Sequence, residues 1–321
     1  ADSLGPGCRR PAMDALNRLA AELVDEAIDF ADELGVAVHP LAGDAAVLDF
    51  GVEHPGGVEA GLLLAEIQTA GLATVQTTVD RVAEAPRTHV ELSTDQPALA
   101  LLCAGKAGWE LSVDGFEGLG SGPARALVAR EDVYDRVGYR EDSEFAVLAV
   151  ESDELPDETV AAHVAETAGV PESAVFLPTY ATASLTGSVA TAARAAELAT
   201  YRLVELGYDP LDVRSVSGRA PVAPVAADES MAMALTNDAL AYGGRVHLVV
   251  DEPFDRFDEV ASTAREEYGR PFAAIFDEVG WDMTALPVDL FGPAAVTIDV
   301  IGGGTYTVGA VDEGVLAESF E

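Results

Sequence analysis

The stretch FAVLAVESDELPDETVAAHVAETAGVPESAVFL, from Phe145 to Leu177, decides the fold class of this chain. It begins with a continuous apolar run from Phe145 to Val150 and ends with a strand-like run from Ala174 to Leu177. Between them, Pro156 to Ala168 has the pattern of a helix. A strand, a helix and a second strand form a βαβ unit, and a continuous apolar strand is typical of a sheet buried on both faces. The sequence therefore predicts an α/β fold, or a mixed α+β fold.

Elements of both kinds continue on either side of this unit. Apolar residues recur at helical spacing from Met13 to Leu34, and Gly35 follows as a predicted C-terminal cap. A longer helix is predicted from about Thr186 to Leu206, with Gly207 as its stop. The other predicted elements are a helix at Ala98 to Lys106, a hairpin turn at Gly302 to Gly304, and strands at Ala46 to Val52, Ala73 to Val79, His89 to Leu92, from Trp109, at Val246 to Val250 and at Val296 to Val300.

The length of the chain, 321 residues, suits two domains of ordinary size, and 49% hydrophobic residues can fill two cores. The alternation of helices and strands favours two closely packed α/β halves. An acidic stretch near residue 142 marks the predicted boundary between a first domain, 13 to 142, and a second, 143 to 321, whose C-terminal strands can return to the first. Residues 1 to 12 are interpreted as an extension upstream of a native start at Met13.

Charge indicates the environment in which the protein works. The 56 acidic and 18 basic residues give a formal charge of -38, and the acids are spread along the whole chain. At about 1 M ionic strength the screening length falls to roughly 3 Å, so repulsion within such an acidic coat largely disappears. We therefore expect a protein of a high-salt cytoplasm whose stability rises with salt. The same charge disfavours nucleic acid or an anionic membrane as partner, and no run approaches the ~20 apolar residues of a membrane span.

Neither the cysteines nor the histidines form a pattern typical of a metal site. Cys8 and Cys103 have no metal-ligand spacing and no disulfide framework, which fits a reducing compartment. The five histidines are dispersed along the chain, at His39, His54, His89, His163 and His247. The sequence therefore predicts no metal and no other cofactor.

Lys106 is the only lysine among the 18 basic residues. A compositional pressure has removed lysine everywhere else, so its presence at this position carries information. One interpretation is a lysine left by chance on the surface, where lysines usually lie. The other is a side chain with a role in a pocket.

A single acid marks the predicted long helix. Between Ala174 and Val204 the only acidic residue is Glu197, and Arg194 precedes it by one helical turn. Such a pair is usually an ordinary surface contact. An acid-coated protein, however, would load any exposed helix face with Asp and Glu, so this segment is expected to be covered. A covered carboxylate needs a compensating cation, which Arg194 can supply, and a glutamate held in this way suits water activation.

Two further strings contain residues typical of binding sites. GSGPARAL, from Gly120 to Leu127, places glycines and Ser121 before Arg125, either to hold an anion or to make a tight turn. PTYATASLTGSV, from Pro178 to Val189, carries the hydroxyls of Thr182 and Ser184 at the predicted entrance of the long helix, either for binding or for helix capping; both are binding candidates.

TNDALAYGG, from Thr236 to Gly244, is a third such string, with Asn237 as a binding candidate in either a polar pocket wall or a loop. Nucleotide-binding patterns are absent, because Gly105-Lys106-Ala107 lacks the hydroxyl residue and the leading glycine of a P-loop.

Taken together, these strings resemble the methenyltetrahydromethanopterin cyclohydrolases of archaeal one-carbon metabolism. The collinear matches run from Met13 to Phe320 and include GVEHPGGVEAGLL (Gly51 to Leu63), STDQPALALLCAGKAGW (Ser93 to Trp109), GSGPARAL, ESDELPDETVAAHVAE (Glu151 to Glu166), ARAAE (Ala193 to Glu197), APVAPVAADE (Ala220 to Glu229), TNDALAYGG and RPFAAIFDE (Arg270 to Glu278). The resemblance implies two α/β domains that enclose a substrate pocket, and a homotrimer.

The resemblance also implies an activity and roles for individual residues. Enzymes of this family hydrolyse the N5,N10-methenyl bridge of a reduced pterin to a 5-formyl product and a proton. Glu197 matches the catalytic glutamate and Arg194 its partner, while Lys106 and Arg125 match positions in the pocket. Two alternatives stay open, namely the same reaction on methenyl-tetrahydrofolate and a pterin-binding protein without turnover.

Overall fold

The computed structural model describes residues 15–281 and 290–321. The predicted extension at 1–12 and the predicted start at Met13 lie outside these residues. The strands, in chain order, are β1 Ala37–Pro40, β2 Ala46–Asp49, β3 Thr74–Val82, β4 Ala85–Thr94, β5 Trp109–Val113, β6 Phe116–Ser121, β7 Ala146–Val147, β8 Ala149–Glu151, β9 Val175–Tyr180, β10 Val213–Pro221, β11 Arg245–Val250, β12 Ala295–Val300 and β13 Thr305–Gly309.

The helices of the described residues separate and flank these strands. In chain order they are α1 Leu16–Asp29, α2 Ala31–Leu34, α3 Val58–Gln68, a π-helix Ala98–Gly105, α4 Ala124–Val128, α5 Asp132–Val137, α6 Glu158–Ala168, α7 Leu185–Ala192, α8 Ala195–Glu205, α9 Glu229–Gly243, α10 Phe272–Glu278 and α11 Glu313–Phe320, with short 3-10 turns at Ala42–Asp44, Glu172–Ala174, Pro210–Asp212, Phe257–Glu259 and Ser262–Ala264. None of the helices in this part of the chain is both long and apolar enough to cross a membrane.

The first sheet contains the βαβ unit that the sequence from Phe145 to Leu177 predicts. Its strand order is β1-β2-β9-β8-β6-β5, and β7 also pairs with β9. β2, β7 and β8 all run parallel to β9, and α6 connects β8 to β9. The predicted α/β class is therefore confirmed. The predicted continuous strand from Phe145 to Val150 is instead two short segments, β7 and β8, separated at Leu148.

The second sheet has the order β13-β12-β11-β10-β4-β3 and is antiparallel except where β11 pairs with β12. Its inner face packs on α7 and α8 in a core that contains Val90 and Leu92 of β4 together with Leu248 and Ile298. The predicted terminal hairpin is confirmed, since Gly302 to Gly304 connects the antiparallel strands β12 and β13.

Each sheet takes strands from both sides of residue 142. β1, β2, β5 and β6 precede this position and pair in one sheet with β7, β8 and β9, which follow it. In the second sheet, β3 and β4 precede it and the other four strands follow. The sheets therefore interleave along the chain, and the domain boundary near residue 142 stays a prediction.

Two predicted helices differ in form from the expectation. The first is divided at Phe30 into α1 and α2, and Gly35 ends it in the left-handed conformation, with φ 67°, as predicted. The helix predicted from Ala98 to Lys106 is a π-helix that ends at Gly105. Seven of its eight residues are buried, so burial on all sides accompanies the unusual geometry.

The prediction of one long helix from Thr186 to Leu206 is wrong. The segment forms α7 and α8, which are separated by Ala193 and Arg194. The first turn of α8 lies against the second sheet so closely that a Cβ on Gly218 of β10 would be 2.6 Å from the backbone nitrogen of Ala196. The break therefore lies beside a tight contact between α8 and β10, at a place where the alanine-rich sequence favours a continuous helix.

Candidate active site

A cleft of about 770 Å³ lies between the first sheet and the helices α8 and α9. One wall comes from the strand ends of the first sheet, with Glu151 of β8 and Thr182 just after β9. The opposite wall carries Asn237 of α9, and Lys106, Arg194 and Glu197 also line the cleft. The space beyond the carboxyl ends of parallel strands is where open α/β sheets bind ligands. Five of the eight predicted site residues are thus brought together.

Arg194 and Glu197 form a two-point ion pair at the inner side of this cleft. Nη2 of Arg194 donates to Oε1 of Glu197 at 2.6 Å, and Nε donates to Oε2 at 3.3 Å. The Glu197 side chain is 7% exposed and that of Arg194 is 20% exposed. Burial acts to lower the pKa of the Arg194 guanidinium, but the facing Glu197 carboxylate outweighs this effect, so the pKa is raised. Arg194 is therefore charged at neutral pH and can compensate a buried carboxylate.

The break between α7 and α8 places Glu197 in a favourable backbone field. Arg194 is the N-cap residue of α8, and Glu197 is the acidic residue of its first turn. Unpaired backbone N–H groups at a helix N-terminus carry partial positive charge, which stabilises a carboxylate in that turn. In one unbroken helix Glu197 would lie in the interior and lack this stabilisation. The kink therefore contributes to the electrostatics of the site.

Lys106 lies at the edge of the cleft and is held by two neighbours. Its Nζ donates to Oε2 of Glu131 at 2.6 Å and lies 4.8 Å from the ring centre of Tyr201. Its side chain is only 15% exposed, so the interpretation of Lys106 as a free surface lysine is wrong. A Cβ on Gly108 would be 3.2 Å from Nζ and 3.0 Å from Oε1 of Glu131, so glycine at this position leaves space for the ion pair.

Arg125 does not line the cleft. Its side chain is 2% exposed and forms an ion pair with Glu131, while its Nη1 donates to the carbonyl oxygens of Leu102 and Ala104 at 3.4 and 3.1 Å. Burial raises the pKa of Glu131, but Arg125 and Lys106 outweigh it, so the pKa is lowered. Arg125 thus secures the end of the π-helix and the carboxylate that holds Lys106. A direct contact of Arg125 with substrate stays a prediction.

The two predicted serines lie away from the cleft surface. Ser121 is 1% exposed and its Oγ accepts a hydrogen bond from Nε2 of Gln68 at 3.0 Å. Ser184 is the N-cap of α7, and its Oγ accepts from the amide of Gly187 at 2.9 Å. Helix capping thus accounts for Ser184, as the alternative interpretation held. Substrate contacts of both serines stay predictions.

Thr182 and Asn237 do face the cleft. The Thr182 hydroxyl donates to Oε1 of Glu151 at 2.5 Å, and its amide donates to Oε2 of Glu229 at 3.0 Å. Nδ2 of Asn237 donates to the carbonyl oxygen of Met233 at 2.8 Å, one turn back along α9. Glu151 and Glu229 are functional candidates that sequence reasoning missed, because single acids carry little signal among 56.

His39, Asp49 and His54 form a cluster outside the cleft, with one potential ligand atom of each within 4.8 Å of the others. Sequence spacing does not reveal this group. Asp49 is fully buried, and its two oxygens accept the amides of the four residues 51 to 54 at 2.7 to 3.0 Å. Burial raises the pKa of Asp49, but these amides outweigh it and lower the pKa. Its carboxylate therefore shapes the loop before α3, and the expected absence of a metal stays a prediction.

Comparison with known proteins shows to which family this chain belongs. A model of the family described as Cyclohydrolase (MCH) matches residues 15–320. The methenyltetrahydromethanopterin cyclohydrolase of Halobacterium salinarum is 58% identical over 308 residues, which cover 96% of this chain and 99% of the relative. This chain belongs to the methenyltetrahydromethanopterin cyclohydrolase family.

More distant cyclohydrolases align over the same length. That of Methanocella arvoryzae is 40% identical, with 96% of this chain and 98% of the relative covered. That of Methanospirillum hungatei is 38% identical, with coverage of 96% and 99%. The chain is therefore an enzyme of the cyclohydrolase class, and the resemblance seen in the sequence is confirmed.

Proposed function

We propose that this protein hydrolyses the N5,N10-methenyl bridge of methenyl-tetrahydromethanopterin to give 5-formyl-tetrahydromethanopterin and a proton. The observation that carries the proposal is the buried Arg194–Glu197 pair in a cleft large enough for a pterin, in a chain 58% identical to a relative named for this substrate. Pockets of about 300–1,000 Å³ are typical for small-molecule ligands.

The bond changes require a group that can accept and return one proton. The bridge carbon is part of an N5–C–N10 amidinium, so it is electrophilic before the enzyme acts. Water attacks this carbon and loses a proton, which gives a tetrahedral carbinol. The carbon–N10 bond then breaks, N10 takes up a proton, and the hydroxyl proton of the carbinol is released as the formyl group forms. The sum consumes one water and yields one proton.

Glu197 is the group in this cleft best suited to the proton transfers. A carboxylate in the first turn of α8, with Arg194 bound to both oxygens, is fixed in orientation and still offers lone pairs to a water molecule. It accepts the proton of the attacking water and returns it to N10, since one acid/base group can serve both steps. Arg194 orients Glu197 and stabilises negative charge that develops on the attacking oxygen.

Lys106 is proposed as a substrate contact. Its ammonium group is already oriented by Glu131 and Tyr201, so little rotamer entropy is lost when a carbonyl or anionic group of the substrate binds. Thr182 and Asn237 line the same cleft and supply polar contacts. Since the amidinium carbon needs no further activation, we propose that neither metal nor cofactor takes part.

The test is an assay of the purified protein in about 3 M KCl, where the coat of acids is screened. Loss of the methenyl absorbance is followed with methenyl-tetrahydromethanopterin and, separately, with methenyl-tetrahydrofolate. We expect faster turnover of the methanopterin substrate. A higher specificity constant with the folate would reassign the carrier, and binding without turnover of either would favour the pterin-binding alternative.

We further propose that the protein is a homotrimer of a salt-rich cytoplasm. The outer face of the second sheet has a hollow of about 510 Å³, whose lining contains Arg219 and Arg245 but only one acid, Glu91. Asp80 of the same sheet pairs with Arg219 at 2.6 Å, so this face is close to neutral on a chain of charge -38 and suits contact with another copy. Contacts between unlike surfaces form a ring when the rotation between the copies closes. Light scattering in high salt should give three times the chain mass. A monomer would contradict the assembly.

A further inference from the structure

Glu151 is a second carboxylate in the cleft, and the proposed proton transfers do not use it. It is the last residue of β8, in register with Tyr180 of the parallel strand β9 and with Leu119 of the antiparallel strand β6. Neighbours on both sides therefore fix its backbone in the middle of the first sheet. Its side chain is half-buried and lines the cleft.

Two hydroxyl groups orient the Glu151 carboxylate. Oε1 accepts from the Thr182 hydroxyl at 2.5 Å, and Oε2 accepts from the Tyr180 hydroxyl at 3.4 Å. Tyr180 is 2% exposed, and its hydroxyl in turn lies 3.4 Å from Nε2 of the buried Gln68. Since a carboxylate offers about four lone-pair sites, each oxygen of Glu151 keeps one for a ligand.

The other inner carboxylates that the structure describes in the cleft accept from N–H donors of the protein. Both oxygens of Glu197 accept from Arg194, and those of Glu229 accept the amides of Thr182 and Ala183 at 3.0 Å each. Among the residues that the structure describes, Glu151 has hydroxyl donors but no Lys or Arg in an ion pair with it. The Arg194 guanidinium acts on Glu151 electrostatically but makes its hydrogen bonds to Glu197, so the lone pairs of Glu151 that no hydroxyl group uses are open to donors of a ligand.

A reduced pterin offers donors of the required geometry. Its 2-amino-4-oxopyrimidine ring presents the ring N3–H and one N–H of the exocyclic amine side by side on one edge. Two parallel N–H donors match the two oxygens of one carboxylate, and such charge-assisted paired bonds are among the strongest in proteins. The edge is also remote from the methenyl bridge, so it can be bound without interference with the chemistry.

We propose that Glu151 recognises the N3–H and 2-amino edge of the pterin ring and so fixes the ring in the cleft. This assignment rests on the proposed function, because it takes the substrate to be a pterin. Glu151 is a specificity-determining residue in this role, and it makes no proton transfer to the reacting carbon. The Thr182 and Tyr180 hydroxyls position it.

The kinetic test compares Glu151→Gln with Glu110→Gln. Glu110 is an exposed acid of the same cleft, so the control removes the same charge without removing an oriented acceptor. We expect Glu151→Gln to raise KM for methenyl-tetrahydromethanopterin about 10- to 100-fold, with kcat changed less than about threefold, because a bond to a charged group is lost equally from ground and transition states. A loss of kcat at unchanged KM, or equal effects of the two variants, would overturn the proposal.

A binding test is independent of turnover. 6-Methylpterin and 6-methyllumazine share the N3–H donor and differ at position 2, where the amine donor is replaced by a carbonyl acceptor and N1 gains a proton. Calorimetry on the wild-type protein should show at least about tenfold tighter binding of the pterin, since a site built for a donor rejects the analogue that lacks it. In Glu151→Gln, whose amide can donate to the carbonyl, this preference should vanish or reverse.

The two tests separate the inference from the proposed function. An unchanged preference in Glu151→Gln, or no preference in the wild-type protein, would refute the role of Glu151 even if the enzyme turns over. Absence of turnover with the preference intact would refute the activity and leave the recognition of the pterin edge standing. Melting temperatures within a few degrees of wild type establish that the variant is folded.

Discussion

Nη2 of Arg194 lies 2.6 Å from Oε1 of Glu197 across the junction at which α7 ends and α8 begins. The two residues are the N-cap and the first-turn acid of α8, so their contact depends on the break in the helix as much as on their spacing. The pair joins a buried anion to a cation and directs both into the cleft. Changes to either partner should therefore affect turnover more than folding.

Replacement of Arg194 by lysine should lower kcat about 10- to 100-fold. Lysine keeps the positive charge but cannot make the two-point contact that orients Glu197, so the carboxylate gains freedom. The measurement is steady-state kinetics in high salt. Arg18→Lys, at an exposed arginine of α1, is the control and should leave kcat unchanged. Full activity of Arg194→Lys would show that charge alone suffices.

Replacement of Lys106 by arginine should raise KM more than it lowers kcat. The guanidinium is larger and planar, so it does not match the position that the ammonium group takes between Glu131 and the Tyr201 ring. We expect KM to rise about tenfold, with kcat within about threefold, as for a group that binds ground state and transition state alike. An unchanged KM would remove Lys106 from the proposed substrate contacts.

Replacement of Asp238 by asparagine should flatten the dependence of stability on pH. Burial raises the pKa of Asp238 from 3.8 to about 6, against the opposing hydrogen bonds from Ser319 and Phe272. The folded state therefore binds this proton more tightly than the unfolded state, and its contribution is present below about pH 4 and lost as pH rises through about 6.

The loss at neutral pH is on the order of 3 kcal/mol, from ~1.4 kcal/mol per pKa unit. Asp238 accepts from the Phe272 amide and from the Ser319 hydroxyl of α11. Asparagine can accept from the same amide through Oδ1 and donate from Nδ2 to the Ser319 hydroxyl oxygen, so both elements stay connected to α9. Urea titrations at about pH 4 and pH 7 give the unfolding free energy of each protein. The variant should gain stability relative to the wild type when the pH is raised from about 4 to about 7. A difference independent of pH would contradict the raised pKa.

Stability should rise with salt concentration. A charge of -38 gives strong self-repulsion at low ionic strength, and this repulsion is screened at multimolar salt. Exposed pairs such as Arg81–Glu84 are weakened by the same screening, but each contributes little. Melting in about 0.1 M and about 3 M KCl provides the measurement, and an equal or lower Tm in the concentrated salt would refute the expectation.

The βαβ unit and the terminal hairpin can be predicted because each rests on local signals. The apolar runs of β8 and β9, the helical spacing of α6 and the glycines at 302 to 304 require no knowledge of distant residues. The kink at Arg194 cannot be predicted in this way, since no Gly or Pro marks it and the close packing of Ala196 on Gly218 beside it involves another element. The π-helix at 98–105 also depends on its burial by distant elements.

The residues of the candidate site likewise include some that the sequence predicts and others that only the fold reveals. Glu197 can be predicted because it is alone in an acid-free segment, and Lys106 because it is the only lysine. Glu151 carries no such signal, and its importance follows from a contact with Thr182 that only the fold creates. The string that contains Ser121 and Arg125 predicts binding residues, whereas the fold gives both of them internal partners.

The most direct test of the account is the turnover of Glu197→Gln in high salt with methenyl-tetrahydromethanopterin. Glutamine keeps the shape of the side chain but cannot accept and return a proton, so kcat should fall at least about 10²-fold while the protein stays folded. Glu205→Gln, two turns along α8 and in the same cleft, serves as control and should retain most of the activity. Turnover of Glu197→Gln close to wild type would contradict the central claim.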